Sequence, residues 1–335
     1  MSVKLKSFVK TSQFALLVLF AGTWIVFGLI NPSIFSVASF FSLTRACIVP
    51  ALFSLALMLI MVLGSFDFSF TMVGAFASYC SIFIITELGL PQTPLIVLLL
   101  ISIAIAVLLE IVNWFLIDKF KLQPFITTLG THSMLKGMIL AFVSTSFIYT
   151  LPDSLRKLST NYLTTAKFAD GTEAVLHIGI LAVAIMYALV HVLLQHTSFG
   201  RKVYAIGANE EAARRVGINV SKVRFFTFCL AGVIVGIGGI IHDSLARCTV
   251  PLPPDLIGQE LTFVAAVILG CGANLQARGS VVGTFIAVFF LRFVSTNLIM
   301  LGIPSYWQRM VTGCILLVSL LAQVRGKRAP QAGKE

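Results

Sequence analysis

Apolar residues run along this chain in long blocks separated by short polar stretches, without the strict alternation of a half-buried strand. The blocks fall at 13–30, 46–64, 70–87, 94–117, 125–148, 175–195, 225–242, 260–273, 280–301 and 309–324. About 20 apolar residues are enough to cross a bilayer as a helix, so the pattern predicts about ten transmembrane helices. The eighth block is short, and the run from 46 to 87 is broken only at 64–69. The expected fold class is all-α, a polytopic integral membrane helix bundle. It is expected to form a single membrane domain over residues 1–335.

Composition removes the other classes. Hydrophobic residues make up 58% of the 335 and charged residues 11%, against about 25% charged in a soluble domain. Mean hydropathy is +0.99. A soluble enzyme or a disordered chain is excluded. The first block is too long for a signal peptide and no small-residue cleavage site follows it. The six cysteines are scattered, with no C-x-x-C, and read as small apolar filler. The five histidines show no ligand spacing, so no metal site and no cofactor are expected. No H-E-x-x-H and no suitably placed G-x-S-x-G supports catalysis, and no G-x-x-x-x-G-K-[ST] loop cradles a nucleotide. The chain therefore reads as non-catalytic.

Charge orients the bundle. The formal net charge is +11; in a soluble protein such an excess would suggest nucleic acid, but in a membrane protein its placement sets topology. Lys4, Lys6 and Lys10 precede the first block, and Arg325, Lys327, Arg328 and Lys334 follow the last. Both termini, 1–12 and 325–335, are thus expected to be cytoplasmic, which requires an even number of spans. Alternation then puts Lys119, Lys121, the cations of 196–224 and Arg278 inside, and leaves Arg45, Arg156, Lys157, Lys167 and Arg247 outside. No nucleic-acid partner is implied; the lipid bilayer is. Lys136, Arg292 and Arg309 fall within or at the edge of spans, where Lys136 and Arg292 are expected to snorkel or to pair with carboxylates.

The cytoplasmic loop 196–224 carries a miniature helix with its start and stop written out. Asn209 is suited to cap it, Glu210 and Glu211 occupy its first turn, and Ala212 and Ala213 favour helix. Arg214 and Arg215 complement the C-terminal end, and Gly217 stops it, followed by Ile218. Two turns are marginal alone. The helix therefore needs a partner surface, in its own protein or in another.

Polar residues inside the apolar pattern are few. At 64–69 (GSFDFS), Asp67 is expected to cap the start of the third span by accepting from amides around Ser69 and Phe70, fixing a turn that begins at Gly64. The junction of the eighth and ninth spans repeats the device with Gly270, Asn274, Gly279 and Ser280. Broken hydrophobic segments at matching places in two halves point to a transport path. Glu110 is read as solvated or bonded to Asn113. An ion-coupled secondary transporter is the alternative, with Asp67 and Glu110 as its candidate coupling carboxylates.

Several of these stretches resemble one family. In the loop, Gly200, Arg201, Ala205, Ile206, Gly207, Asn209, Ala212, Ala213, Gly217, Ile218, Asn219 and Val220 are in register with the cytoplasmic signature of the permease subunits of ATP-binding-cassette sugar importers, the ribose/galactose/arabinose/xylose type. Residues 64–69, 113–137 and 260–284 are similar to further blocks of that family. Ser65, Ala208, Trp114, Lys136, Cys271 and Gln276-Ala277 depart from its pattern. The resemblance implies a subunit of the bacterial inner membrane that forms a path for a sugar delivered by a periplasmic substrate-binding protein. It implies a cytoplasmic ABC ATPase docking on Arg201 and the 209–218 helix. It also implies a second permease subunit, either another copy or a homologue, and the departures at small-residue positions favour a homologue.

Overall fold

The computed structural model describes residues 12–168, 171–272 and 279–300, together with Leu275 and isolated positions between 302 and 317. Twelve α-helices and one hairpin follow in order among these residues. Helix α1 is Ser12–Ile30, α2 Val37–Val62, α3 Phe70–Glu87 and α4 Leu95–Lys119. Helix α5 is Pro124–Met138, prolonged by a π-helical turn at Ile139–Val143. A short helix α6 (Asp153–Thr160) leads into strands β1 (Tyr162–Lys167) and β2 (Glu173–His177). Then come α7 Gly179–His196, α8 Ser198–Ala208, α9 Glu210–Arg215, α10 Val220–Ala246, α11 Glu260–Cys271 and α12 Val281–Met300.

Among the described residues seven helical segments are long and apolar enough to cross a membrane: α2, α3, α4, α5 with its π turn, α7, α10 and α12. The apolar segment Leu16–Ile30 of α1 and helix α11 are shorter. The protein is thus a polytopic, multi-pass helical membrane protein. Burial tells the helices apart where hydropathy does not. Helix α2 is buried on every side from Cys47 to Val62 and forms the core of the bundle. Helix α4 buries only Leu98, Ser102, Ala106, Glu110, Asn113 and Ile117, a stripe with three- and four-residue spacing. Its other faces carry exposed Ile96, Leu100, Leu108 and Val112, as a helix bordered by lipid requires. The stripe fits α10 closely: Ser102 Oγ donates to the Gly236 carbonyl at 2.9 Å, and a side chain on Gly232 would meet the backbone of Val107. Small residues at such a crossing let two helices approach within van der Waals contact. Helix α1 lies along α12, with Trp24 stacked on Phe293 at 4.6 Å.

Several expectations change. The all-α membrane bundle stands, with one small addition: in the connection before α7, β1 and β2 form a two-stranded antiparallel sheet closed by the Lys167–Glu173 ion pair. The sixth span accordingly starts at Gly179, since 175–177 belong to β2. Helix α2 begins at Val37, so Arg45 lies within a helix and not in an outside loop. The fifth span ends at Val143. The tenth span, the charged ends 1–11 and 318–335, Arg278 and Asn274 lie largely or wholly outside the described residues.

The connections segregate by end. Segments 88–94, 145–160 and 247–250 meet through Asp153 N to Pro91 O, Ser244 Oγ to Leu155 O and the Ile148–Thr249 bridge. Residues 118–121 and 197–224 meet at the other end, through Arg224 and Asp118.

Candidate coupling site

The segment between α7 and α10 folds as two short helices joined at Asn209. The second is α9, the helix expected from the sequence; the first, α8, was not anticipated. Asn209 is extended, and its Oδ1 accepts from Ala212 N at 2.9 Å. At the far end Gly217 takes φ +84°, and Ile218 N donates to Ala213 O at 3.1 Å, a closure that a residue with a Cβ would strain. Glu210 pairs with Arg214 at 2.6 Å and Glu211 with Arg215 at 4.0 Å. Each such exposed pair contributes only about 0.2–0.5 kcal/mol.

What holds α9 is its packing on the bundle. Ala213 is 3% exposed and Ile218 is half-buried, so both face their own chain. The side open to a partner is Glu211, Ala212, Arg214, Arg215 and Val216. Val216, at 76% exposure, is the apolar tip of that surface and was not expected from sequence. Arg201 is exposed on α8.

Arg224, in the second turn of α10, ties α9 to the membrane helices. Its guanidinium donates to Asp118 Oδ1 of α4 at 2.7 Å and to Glu210 Oε2 of α9 at 2.9 Å. The Arg224 and Asp118 side chains are nearly buried, so this is a desolvated pair and not a surface contact. Burial works to raise the Glu210 pKa, but the bonds and fields of Arg214 and Arg224 prevail and hold it below the usual carboxylate value.

Helix α8 reaches both interrupted hairpins. Gly207 lies against Gly64, close enough that a Cβ on Gly64 would touch the Gly207 Cα at 3.5 Å. Tyr204 OH donates to the Gly279 carbonyl at 2.8 Å.

The first interruption is a buried polar knot. Asp67 Oδ1 accepts from the amide and the hydroxyl of Ser69, both at 2.7 Å; Phe70 takes no part. Asn113 Nδ2 donates to Ser69 Oγ at 2.8 Å and to Glu110 Oε2 at 3.3 Å, while Thr128 Oγ1 accepts from Phe68 N at 2.8 Å. Glu110 is fully buried, so the solvated reading fails and the Asn113 reading stands. Just beyond the knot, Thr71 Oγ1 in the first turn of α3 donates to Glu260 Oε1 in the first turn of α11 at 3.0 Å. Glu260 also accepts from Gly258 N. The N-termini of two shortened helices are thus joined by a carboxylate, where the helix dipole favours one.

At the second interruption Gly270 packs on the backbone of Gly283, and a side chain on either would collide with the other. Ser280 Oγ accepts from Gly283 N at 2.9 Å and caps α12. Gly279 sits tightly against Val62. Among the described residues no group of His, Cys, Asp and Glu side chains is placed to hold a metal ion.

A family model described as the permease component of branched-chain amino acid transport systems matches residues 39–320. The chain belongs to this permease family. Ribose import permease protein RbsC of Bacillus subtilis (strain 168) is 30% identical to this permease over 297 residues, 89% of this chain and 88% of the relative. Probable ABC transporter permease protein YphD of Escherichia coli (strain K12) is 30% identical over 325 residues, 96% and 93% of the two chains. Autoinducer 2 import system permease protein LsrC of Yersinia pseudotuberculosis (serotype O:1b, strain IP 31758) is 28% identical over 313 residues, 92% and 82%. No solved structure matches the permease. The function expected from the loop signature, solute transport by a membrane permease, is the function of this family.

Residues missed in the sequence share a signal. Arg224, Asp118, Thr71 and Glu260 each stand within two residues of the end of an apolar block, and Tyr204 lies in the loop between two blocks. Their importance lies in partners far along the chain.

Proposed function

We propose that this permease is the membrane subunit of an ATP-binding-cassette importer for a sugar or sugar-like solute. A periplasmic substrate-binding protein delivers the solute, and a separate cytoplasmic ATPase drives passage. The reading takes ten spans, both termini in the cytoplasm, and the bacterial inner membrane as the site. It takes the chain as one membrane domain, with 1–12, 196–224 and 325–335 on the cytoplasmic side. The permease itself performs no catalysis. A second permease subunit completes the path, and Ser65 and Cys271, where the family has glycine, favour a homologue over an identical copy.

One observation carries the proposal: the short helix α9 offers an exposed face to a partner while Arg224 and α8 tie it to four membrane segments. A motor docked on Glu211, Ala212, Arg214, Arg215 and Val216 could shift those segments together. The turn at Gly64, Asp67 and Ser69 and the junction at Gly270, Asn274, Gly279 and Ser280 are then the parts of the path that move. The test is uptake into vesicles reconstituted with the partner ATPase and binding protein. Uptake is expected to require ATP and to vanish with an ATPase lacking its catalytic glutamate. Uptake that persists on an ion gradient alone overturns the proposal in favour of a secondary transporter using Asp67 and Glu110.

A further inference from the structure

The knot at the first interruption brings two carboxyl groups together. Asp67 and Glu110 are both fully buried, and their side chains lie within hydrogen-bonding reach of one another. One oxygen of each has its donors. Asp67 Oδ1 accepts from the amide and the hydroxyl of Ser69, and Glu110 Oε2 accepts from Asn113 Nδ2. The other two oxygens, Asp67 Oδ2 and Glu110 Oε1, are buried and have no donor among the described residues.

An ionised carboxylate can only accept a hydrogen bond. Contact between two of them becomes a bond only when one carries a proton. Like charges in contact away from water also disfavour each other strongly, so such a pair ionises one group at a time. No cation offsets them: among the described residues neither carboxyl group forms an ion pair. The titratable side chains that face the knot from neighbouring helices are Cys229 of α10, close enough to feel the Glu110 field, and His132 of α5, whose ring is 5.6 Å from that of Phe68. Glu260 of α11 is turned to Thr71 and Gly258. The bonds also say which group keeps the charge. Asp67 Oδ1 has two donors at 2.7 Å, whereas Glu110 Oε2 has one at 3.3 Å.

We propose that Asp67 and Glu110 bind one proton between them, carried on Glu110 Oε1 and donated to Asp67 Oδ2, and that this proton pins the 64–69 turn to α4. It satisfies both remaining oxygens at once and leaves the knot a single negative charge, held by Ser69. A hard metal cation is the competing occupant. Calcium or magnesium would need about six oxygens, and the unpartnered ones at the knot are those two, Asn113 Oδ1 and Ser65 Oγ. The pin matters beyond the knot because Gly64, at the start of the same turn, rests against Gly207 of α8. The inference names no solute and no energy source; it rests on the knot alone.

The test is infrared spectroscopy of the purified permease in detergent at neutral pH, where exposed Asp and Glu side chains are ionised. The spectrum is expected to contain the C=O band of an un-ionised carboxyl group. Glu110→Gln should remove that band, because the introduced amide donates to Asp67 Oδ2 in place of the proton. Asp67→Asn should remove it as well, because its amide donates to a Glu110 carboxylate. Glu110→Gln should keep the thermal unfolding midpoint within error of wild type, whereas Glu110→Ala, which strands Asp67 Oδ2, should lower it. A wild-type spectrum without the band, a band that survives in either amide variant, or equal losses of midpoint in Glu110→Gln and Glu110→Ala each overturn the inference. A midpoint that rises with sodium, magnesium or calcium chloride but not with choline chloride, and loses that response in Glu110→Gln, puts a metal ion in the proton's place and overturns it too. If Glu110→Gln fails to fold, the spectrum of Asp67→Asn and the salt series on wild type decide.

Discussion

Asp67 is fully buried, and the amide and hydroxyl of Ser69 both donate to its Oδ1. Removing the acceptor leaves a buried amide unsatisfied, at about 1–3 kcal/mol. Asp67→Ala should therefore lower the unfolding midpoint of the purified permease, while Asp67→Asn, which keeps an acceptor oxygen, should recover most of the loss. Equal midpoints for the two variants would remove the capping role. The turn was legible in the sequence because an isolated carboxylate two residues before a serine, inside forty apolar residues, has few local ways to be satisfied. Its surroundings were not. Glu110 and Asn113 come from α4 and Thr128 from α5, and nothing in the local pattern of 64–69 encodes a neighbour 44 or 60 residues away. Ala213 teaches the complementary lesson: a position read as part of the docking face is buried against its own chain.

Elements differ in how much of them the sequence reveals, and the difference follows from the solvent. In water an amphipathic stripe shows which face a helix buries; in lipid both faces are apolar, so α2 and α4 read alike although one is core and the other mostly peripheral. Helix α9 was legible because its caps and charges are local. The preceding α8 was hidden by the small residues and glycines that let it pack beside Gly64. The hairpin was missed because β2 runs without a break into the apolar start of α7. At this scale the docking surface can be tested cleanly. Val216→Glu and Arg215→Glu alter exposed side chains, and each should abolish copurification of the ATPase while membrane insertion and the unfolding midpoint stay within error of wild type. Ala213→Asp would disturb the permease itself and does not discriminate. Undiminished copurification of both exposed variants would move the docking site off α9.

At the scale of the molecule the question is whether motion at α9 reaches the membrane helices through Arg224. Its guanidinium joins α9, α4 and α10 at one nearly buried point. Arg224→Gln removes the joint and strands Asp118 without its cation; breaking such a desolvated pair typically costs about 3–5 kcal/mol. Part of that cost is repulsion and desolvation at Asp118, so Asp118→Asn in the Arg224→Gln background should restore stability, with a coupling of about 0.5–3 kcal/mol in a double-mutant cycle. Transport should not recover with it. If Arg224 transmits the ATPase stroke, the double variant folds and binds the ATPase but hydrolyses ATP with little uptake, a fall in solute moved per ATP. A structural role alone predicts that uptake and stability return together. Tyr204→Phe, which deletes only the bond from α8 to the Gly279 carbonyl, should lower the same ratio by a smaller factor with the midpoint nearly unchanged. Coupling that stays at the wild-type ratio in both variants would mean the stroke reaches the path by another route.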